Sequence, residues 1–386
     1  MNIRRVKCKL LENIEELKSP IGYLNAGHPR YNTLFGRDSL ISAWQMLKID
    51  TSIARSTLET LARYQGKVLN PQAEEEPGKI LHEYRFDSKS QKELPDWDFP
   101  YYGSVDSTPL FIILAGEYFK QTRNTERLLR IWNNIIASFM WIRRWGDLDN
   151  DGYVEYIKKN PHGLFHQGWK DGVNDHLKIQ PPVAIVEVQG YIYAAYRTLA
   201  FLEKELDKYQ ATEIQIAPVS KSLKNKFNKD FWVKNQRYFA LALNGEKRRK
   251  ESVTSNPGHL LFTGIVAQNK MCPLVSRLFQ SDLWTPYGIR TSSTQDAEFD
   301  PFSYHRGSVW PYDNWIICKG LQHLHFDLHA NRIKKALLQT FRELGRIPEF
   351  YAVENNRIVD LTHKKVKANP LQAWSVAGLL DLIWED

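Results

Sequence analysis

The sequence has few cysteines and no long apolar run. Its three cysteines, Cys8, Cys272 and Cys318, are odd in number and far apart in the 386-residue chain, which argues against a disulfide framework and indicates a reducing compartment. The N-terminal region contains no apolar stretch long enough for a signal peptide, and no later stretch approaches the length of a membrane span. We therefore predict a cytoplasmic protein with no membrane partner.

Concentrated positive charge is also scarce, although the formal net charge is +8. The densest basic run, from Lys247 to Lys250, is bracketed by Glu246 and Glu251. Short runs of this kind are usually solvated loops, and no nucleic-acid-binding motif accompanies this one. The sequence therefore predicts no nucleic-acid partner.

Long linkers and strand-like alternation are also scarce in the sequence. No low-complexity segment divides the chain, and strand-like alternation is limited to short pieces such as "RYFALAL". We therefore predict a single domain over residues 1–386. Apolar residues at helical spacing recur along the chain instead, which predicts an all-α protein.

Several predicted helices share one pattern, in which a polar loop runs directly into an unusually apolar helix. Most of the intervals between them have room for a second, more charged helix. Because helices that are apolar all round must be buried, six of them inside a ring of six amphipathic helices give an (α/α)6 toroid, or six-hairpin barrel. In such a ring the loops that enter the inner helices gather at one end. The predicted inner helices start near Asp38, Ser107, Ile185, Pro257, Ser308 and Leu371.

Aromatic residues are what the sequence has in excess, at 12% with 12 Trp. Trp and Tyr offer a flat face with a polar edge, which suits sugar rings or bases. At the first predicted inner helix, "TLFGRDSLISAW" contains Arg37 and Asp38. Asp38 fits the N-cap of that helix, but a bidentate Arg beside a carboxylate also suits the binding of vicinal hydroxyls.

Polar and aromatic residues also crowd the approach to the second predicted inner helix, in "GKILHEYR" and "PDWDFPYYGSVDSTPL". Taken singly, each is better explained as a packed ring or a loop polar group. Together they are typical of a pocket for a polyhydroxylated ligand. The candidates are His82, Glu83, Arg85, Trp97, Tyr101, Tyr102 and Asp106.

The stretch "HQGWKDGVND", residues 166–175, offers a candidate general acid. Asp171 follows Trp169 by two residues and Asp175 follows it by six. A carboxyl group pressed against an indole face is poorly solvated, so its pKa rises and it suits acid catalysis. Two aspartates that cap turns are the alternative explanation.

Glycosidic cleavage by a general acid needs a second carboxylate across the pocket. Glu349, in "LGRIPEFYAVE", lies in a predicted loop between helices and supplies one, although a solvated loop Glu is the plainer explanation. The preceding segment "FDPFSYHRGSVWPYDNW" contributes His305 and Trp310 as a further wall.

One segment, "DLDNDGYVEY", has the spacing of a calcium loop, with Asp147, Asp149, Asp151 and Gly152. The twelfth position, where an EF-hand carries a bidentate Glu, is Lys158. An Asx-rich turn therefore explains the segment better than a metal site does. We expect neither a metal nor an organic cofactor.

Ten ordered motifs resemble the amylo-α-1,6-glucosidase domain of glycogen-debranching proteins, and they span nearly the whole chain. The resemblance implies an (α/α)6 barrel related to inverting α-glycosidases. It also implies that Arg37 and Asp38 hold hydroxyls of the terminal glucosyl unit, that Asp171 is the general acid and that Glu349 is the general base. Related barrel families place the acid further along, which leaves Asp175 as the rival. The motifs are "FGRDSLIS", "GKILHEYR", "YYGSVDSTPLF", "QGWKDGVND", "PPVAIVEVQGYIYAAY", "SNPGHLLFTGI", "YGIRTSS", "YHRGSVWPYDN", "PEFY" and "NPLQAWSVAGLL".

Two features depart from the pattern of the debranching family. Many members carry an N-terminal β-rich domain, and the eukaryotic enzymes also carry a glucanotransferase half, whereas here the barrel begins almost at Met1. We therefore predict no transferase activity. The acid loop reads "DGVND" where Asp-Ser followed by an early second Asp is commoner, and we expect this to reshape the subsite beyond the scissile bond.

We predict an inverting glycoside hydrolase that cleaves a terminal α-glucosidic bond, α-1,6 in glycogen- or starch-derived oligosaccharides. Inversion requires the two carboxyl groups to lie about 6.5–9.5 Å apart. Two alternatives stay open: a hydrolase of another small α-glycoside, such as a disaccharide or glycosylated solute, and a non-catalytic carbohydrate-binding relative. The predicted ring-stacking and hydroxyl-binding residues are Trp169, Trp310, Tyr102, Lys170, Glu83, Arg85 and His305.

Overall fold

The computed structural model describes residues 2–207 and 216–386. Helices predominate there, as the sequence predicts, and the strands are two or three residues long. The α-helices are α1 (Ile3–Leu17), α2 (Gly36–Met46), α3 (Thr51–Arg63), α4 (Ser88–Gln91), α5 (Ser107–Thr122), α6 (Thr125–Arg130), α7 (Trp132–Trp141), α8 (Val186–Glu205), α9 (Ile216–Asp230), α10 (Gln268–Leu278), α11 (Pro311–His323), α12 (Asp327–Leu344) and α13 (Ala373–Ile383).

Among the described residues there are also a π-helical turn, Ile142–Gly146, a 3-10 helix, Asn256–Phe262, and 13 short strands. The strands are β1 (Gly27–His28), β2 (Leu34–Phe35), β3 (Glu83–Tyr84), β4 (Ala184–Ile185), β5 (Trp232–Val233), β6 (Tyr238–Phe239), β7 (Ala242–Leu243), β8 (Arg249–Lys250), β9 (Trp284–Thr285), β10 (Gly288–Ile289), β11 (Ala352–Glu354), β12 (Arg357–Val359) and β13 (Leu371–Gln372).

Six helical segments are buried almost all round: α2, α5, α8, the 3-10 helix, α11 and α13. Each packs against the next in that order, and α13 returns to pack against α2, so their contacts form a closed series. Their starts coincide to within about three residues with the predicted inner-helix starts, because an apolar run after a polar loop is a local signal. Every residue of α13 is buried.

The other long helices are amphipathic and lie outside this group. Helices α3, α7, α9, α10 and α12 each pack on the buried segment that precedes them in the chain, and α1 packs on α13. In α12 the buried positions Ile333, Leu337 and Phe341 recur at helical spacing, which leaves the polar side to solvent. Each outer helix thus covers one buried helix.

Two expectations about helix form are wrong. The inner helix predicted to start near Pro257 is only a seven-residue 3-10 helix, with Pro257 in its first turn, and Gly264, at φ +81°, follows it closely. Asp38 is not the N-cap of α2. That helix begins at Gly36, and Asp38 lies inside its first turn.

Short antiparallel pairs bring the loops before the buried helices together. In β1–β13, Gly27 lies opposite Gln372, and in β2–β3, Phe35 lies opposite Glu83. In β4–β7, Ala184 lies opposite Leu243. The loops leading into α2, α8 and α13 are therefore anchored at the ends of the helices where the polar residues cluster.

None of the helices within residues 2–207 and 216–386 has the length and apolar character needed to cross a membrane.

Candidate active site

Arg37 is the centre of the site. From the first turn of α2 its Nη1 donates to Asp106 Oδ2 at 2.9 Å, and its Nη2 donates to Asp171. Asp106, just before α5, also accepts a hydrogen bond from Ser104 Oγ at 2.8 Å. Arg37 and Asp106 are buried, so the loops before α2, α5 and α8 meet around one guanidinium.

The two candidate acids of the "HQGWKDGVND" loop lie in different surroundings. Asp171 contacts Arg37, and 25% of its side chain is exposed. Burial raises the pKa of Asp171 to about 6, although the Arg37 cation opposes that rise. Asp175 instead accepts from Ile179 N at 3.0 Å and lies 2.8 Å from His166 Nε2, with 38% of its side chain exposed.

Glu349 is a buried carboxylate in the loop that follows α12. It accepts hydrogen bonds from the hydroxyl of Tyr304 and, at 2.8 Å, from the backbone N–H of Asn369. Burial raises the pKa of Glu349 to about 7; the bonds from Tyr304 and Asn369 oppose the rise, and the negative charge of Asp171 adds to it. The Glu349 and Asp171 carboxyls therefore influence each other electrostatically.

Asp38 is a third buried carboxyl in the same place. Its Oδ1 accepts from Gln372 Nε2 at 3.1 Å, which ties α2 to the start of α13. Burial raises the pKa of Asp38 to about 7, with Arg37 opposing the rise and Asp171 and Glu349 adding to it. Asp38 therefore feels the charges of both candidate catalytic groups.

Aromatic rings line the region beside Asp171. Trp169 meets Trp310 edge to face, with ring centroids 5.8 Å apart, and His305 stacks on Trp310 at 5.1 Å. His176 stacks on His305 at 5.5 Å. Within the described chain, neither ring nitrogen of His305 has a hydrogen-bond partner, nor does His176 Nε2. These rings form an aromatic wall with polar ring atoms still available.

Other predicted site residues have partners of their own. Arg85 Nε donates to Glu83 at 2.5 Å, so these two bind each other, although Asp171 adds to the rise that burial causes in the pKa of Glu83. Tyr102 donates its hydroxyl hydrogen to the carbonyl of Tyr64 at 2.7 Å and packs in the core. The structure thus keeps Glu83 near the site and places Tyr102 in supporting packing.

The Lys170 side chain points inward, towards buried polar groups that the sequence analysis did not predict. Its Nζ donates to the carbonyl of Thr291 at 2.6 Å, and burial lowers its pKa against the nearby charges of Asp313 and Glu187. Glu187, at the start of α8, is fully buried, and burial raises its pKa against opposition that includes Asn256. A lone Glu in the apolar run "AIVEVQG" was the available signal for this group.

Tyr31 is a second residue that sequence reasoning missed. It hydrogen-bonds to Tyr304, and burial followed by the charge of Glu349 raises the pKa of Tyr31. It lies just before β2 at φ +65°, an uncommon backbone conformation for an aromatic residue. That conformation is visible only in three dimensions.

Comparison with known proteins shows the family of the chain. A family model described as the mannosylglycerate hydrolase MGH1-like glycoside hydrolase domain matches residues 31–355. The mannosylglycerate hydrolase MGH1 of Selaginella moellendorffii is 28% identical over 91 residues, which are 24% of this chain and 18% of that relative. The match therefore spans less than a fifth of the relative's length.

Solved structures share the fold. The GH63 mannosylglycerate hydrolase from Thermus thermophilus, in complex with Tris and D-glycerate, superposes with a TM-score of 0.72 at 16% identity over 99% of this chain and 100% of that one. A wild-type glycosidase superposes with a TM-score of 0.69 at 13% identity over 99% of this chain and 96% of that one.

The prediction of a glycoside hydrolase is thus confirmed, while the assignment to the glycogen-debranching family is not supported. The chain belongs to the family of mannosylglycerate hydrolase MGH1-like glycoside hydrolase domains.

Proposed function

We propose that this protein is an inverting glycoside hydrolase whose substrate is a small α-glycoside with an acidic aglycone, such as a hexosyl glycerate. The observation that carries the proposal is the pair formed by Asp171 and Glu349. They come from loops far apart in the chain, they lie in one buried polar region, and each has a pKa moved towards neutrality. Paired carboxyls with these properties suit glycosidic cleavage.

Asp171 is the proposed general acid. Its partial exposure leaves the carboxyl accessible to a leaving-group oxygen, and its raised pKa keeps a proton available near neutral pH. Arg37, which grips the same carboxyl, orients it and stabilises the carboxylate left after proton transfer. Asp175, held by His166 and Ile179, is the proposed support of the acid loop.

Glu349 is the proposed general base. The hydrogen bonds from Tyr304 and Asn369 fix its orientation, so that a free lone pair can take a proton from water. The water then attacks the anomeric carbon opposite the departing oxygen, and the C–O bond to the aglycone breaks as Asp171 protonates that oxygen. We also infer that the closed series of buried helices is an (α/α)6 toroid, which brings the two loops together.

Cations beside the aromatic wall favour an acidic aglycone. Lys170 and Arg306 both act to lower the pKa of His176, after burial and the charge of His166, so these groups lie within electrostatic range of one another. His305, whose ring nitrogens have no hydrogen-bond partner among the described residues, lies against His176. Lys170 and Arg306 also face the acidic groups Glu187 and Glu298, so the cations by themselves give only partial support for an acidic aglycone. The family match to a mannosylglycerate hydrolase domain agrees with that chemistry.

The α-1,6-glucosidic bond is the second candidate, because ten ordered motifs resemble debranching domains. The test is hydrolysis of α-mannosyl glycerate, α-glucosyl glycerate, isomaltose, maltose and trehalose, with the anomer of the released hexose followed by NMR. We expect fast release from a glycerate glycoside, with the β-anomer formed first. Faster release from isomaltose would favour the second candidate, and release of the α-anomer would contradict inversion.

Three variants test the assignments in the same assay. Asp171→Asn and Glu349→Gln should each lower kcat about 10²- to 10⁴-fold, the usual contribution of a positioned acid or base. Asp175→Asn should lower kcat less than about tenfold, since it weakens a supporting hydrogen bond worth about 1 kcal/mol. If Asp175→Asn is the more damaging aspartate change, Asp175 is the acid.

A further inference from the structure

A lysine fills the acidic loop that resembles a calcium site. Asp147, Asp149 and Asp151 each offer a carboxylate oxygen, and these oxygens lie within 4.8 Å of one another. The Nζ of Lys247 lies 2.8 Å from Asp149 Oδ2 and 3.0 Å from Asp151 Oδ2. It also contacts Glu155. One ammonium therefore bridges three carboxylates.

The loop has the backbone of a cation-binding loop. Asp147 accepts from the N–H groups of Asp151 and Gly152, each at 2.9 Å, and Gly152 has φ +93°, which suits the sharp turn at the sixth position of a calcium loop. Opposite oxygens around Ca²⁺ stand about 5 Å apart, because Ca–O distances are about 2.3–2.6 Å. The oxygens of the three aspartates all lie within that separation, so one ion could contact all three.

Glu155 gives a second, independent observation. It stands at the ninth position of the loop, where calcium loops supply a ligand. Its side chain is completely buried, and in the described part of the chain its Oε2 has no hydrogen-bond partner, while Oε1 contacts the ammonium. The Oε2 atom of this buried carboxylate can therefore accept one more contact from a cation.

The ammonium reaches the loop from a rigid turn. Lys247 lies between β7 and β8 with φ +60°, and its N–H donates to the carbonyl of Asn244 at 2.8 Å. Lys226 of α9 also pairs with Asp151, at 2.9 Å, but it has no contact with Glu155 among the described residues. The two lysines thus differ, since only Lys247 sits among all three carboxylates.

We propose that residues 147–155 form a divalent-cation loop in which the Lys247 ammonium takes the place of the metal ion. The hairpin that carries Lys247 pairs through β7 with β4, directly after the segment that holds Asp171. The Lys247 ammonium therefore links residues 147–155, which precede the acid-bearing segment, to β4, which follows it. This link needs no metal ion. Removal of that ammonium exposes the oxygen ligands to Ca²⁺.

The test compares wild type with Lys247→Met and with Lys226→Met as the matched control. Each is melted in EDTA and in 5 mM CaCl₂, and terbium binding is followed by luminescence sensitised through the neighbouring Tyr153. We expect Lys247→Met to melt several degrees below wild type in EDTA, to recover in calcium and to bind terbium. Wild type and Lys226→Met should show neither response, and adding Asp149→Asn to Lys247→Met should abolish both.

Other results overturn the proposal. Calcium binding by wild type would mean that the metal displaces the lysine, and a Lys247→Met protein that ignores calcium and terbium would mean that the loop is no cation site. If Lys247→Met does not fold in EDTA, Lys247→Gln is used alongside it, and both are refolded with and without calcium. Folding only with calcium supports the proposal, whereas failure in both conditions contradicts it.

Discussion

Asp38, Asp171 and Glu349 influence one another electrostatically in this site, and their proton affinities govern when it can act. Arg37 contacts Asp171 directly and lies next to Asp38, while Glu349 is stabilised from the other side by Tyr304. Burial raises the pKa of both proposed catalytic groups towards neutrality, to about 6 for Asp171, where the Arg37 cation opposes the rise, and to about 7 for Glu349. Only a fraction of the enzyme then holds a protonated acid and an ionised base together.

Two pKa values this close together predict a narrow bell-shaped pH profile. As the pH falls, Glu349 gains a proton and can no longer accept one from water; as the pH rises, Asp171 loses the proton that the leaving group needs. The maximum of kcat/KM should therefore lie between about pH 6 and pH 7, with both limbs belonging to the interacting pair. The measurement is kcat/KM from pH 4.5 to 9 on the best substrate.

The control for that profile is Asp175→Asn, which leaves Asp171 and Glu349 in place and should give the wild-type curve at a modestly lower height. A rate that stays level up to pH 9 would show that no carboxylic acid donates the proton.

Close packing between helices depends on small residues at the contacts. Gly320 in α11 faces the 3-10 helix, where an added Cβ would lie 2.4 Å from Leu261 Cβ and 2.8 Å from the backbone nitrogen of Phe262. Backbone atoms cannot turn away as a side-chain tip can. Any side chain at position 320 must therefore push α11 and the 3-10 helix apart.

Gly320→Ala should therefore destabilise the fold by about 1–3 kcal/mol, the usual effect of overpacking, even though Ala is the better helix former. Thermal unfolding checks the change, and Gln322→Ala, at an exposed position of the same helix, is the control. An unchanged or raised Tm in Gly320→Ala would mean that the two helices can move apart without loss of stability.

The whole molecule is destabilised by the carboxyls that make the site work. A pKa raised by burial means that the folded protein keeps a proton which the unfolded chain releases, so stability is lost as the pH rises through the folded value. For Glu349 the difference between the ordinary 4.5 and about 7 corresponds to about 3 kcal/mol. This loss is absent below about pH 4.5 and complete above about pH 7.

Glu349→Gln cannot ionise, so its stability relative to wild type should increase from pH 5 to pH 8 by up to about 3 kcal/mol. The changed hydrogen bonds to Tyr304 and Asn369 add an offset that does not vary with pH, so the slope is the diagnostic quantity. This slope is obtained by measuring the Tm of both proteins from pH 5 to pH 8. Exposed Glu12→Gln should show no such slope, and a flat difference for Glu349→Gln would contradict burial of an ionisable carboxyl.

The sequence by itself determined where the buried helices begin and which loops carry unusual polar residues. Both are local properties: an apolar run at helical spacing must be buried, and a polar loop before it ends at a helix start. Arg37, Asp171 and Glu349 could be selected in this way because each stands out from its own neighbours. The glycoside hydrolase class followed from the resemblance of ten ordered motifs to a known glycosidase family.

Tertiary structure alone decided which of these residues meet. The sequence leaves Asp175 as a rival to Asp171, and of these two aspartates only Asp171 contacts Arg37, 134 residues away. The same holds for Lys247, which reaches Glu155 across 92 residues and fills a loop whose own spacing looks like that of a metal site. Local pattern selects residues by type and periodicity, whereas partners are chosen by the packing of distant segments, which no local pattern encodes.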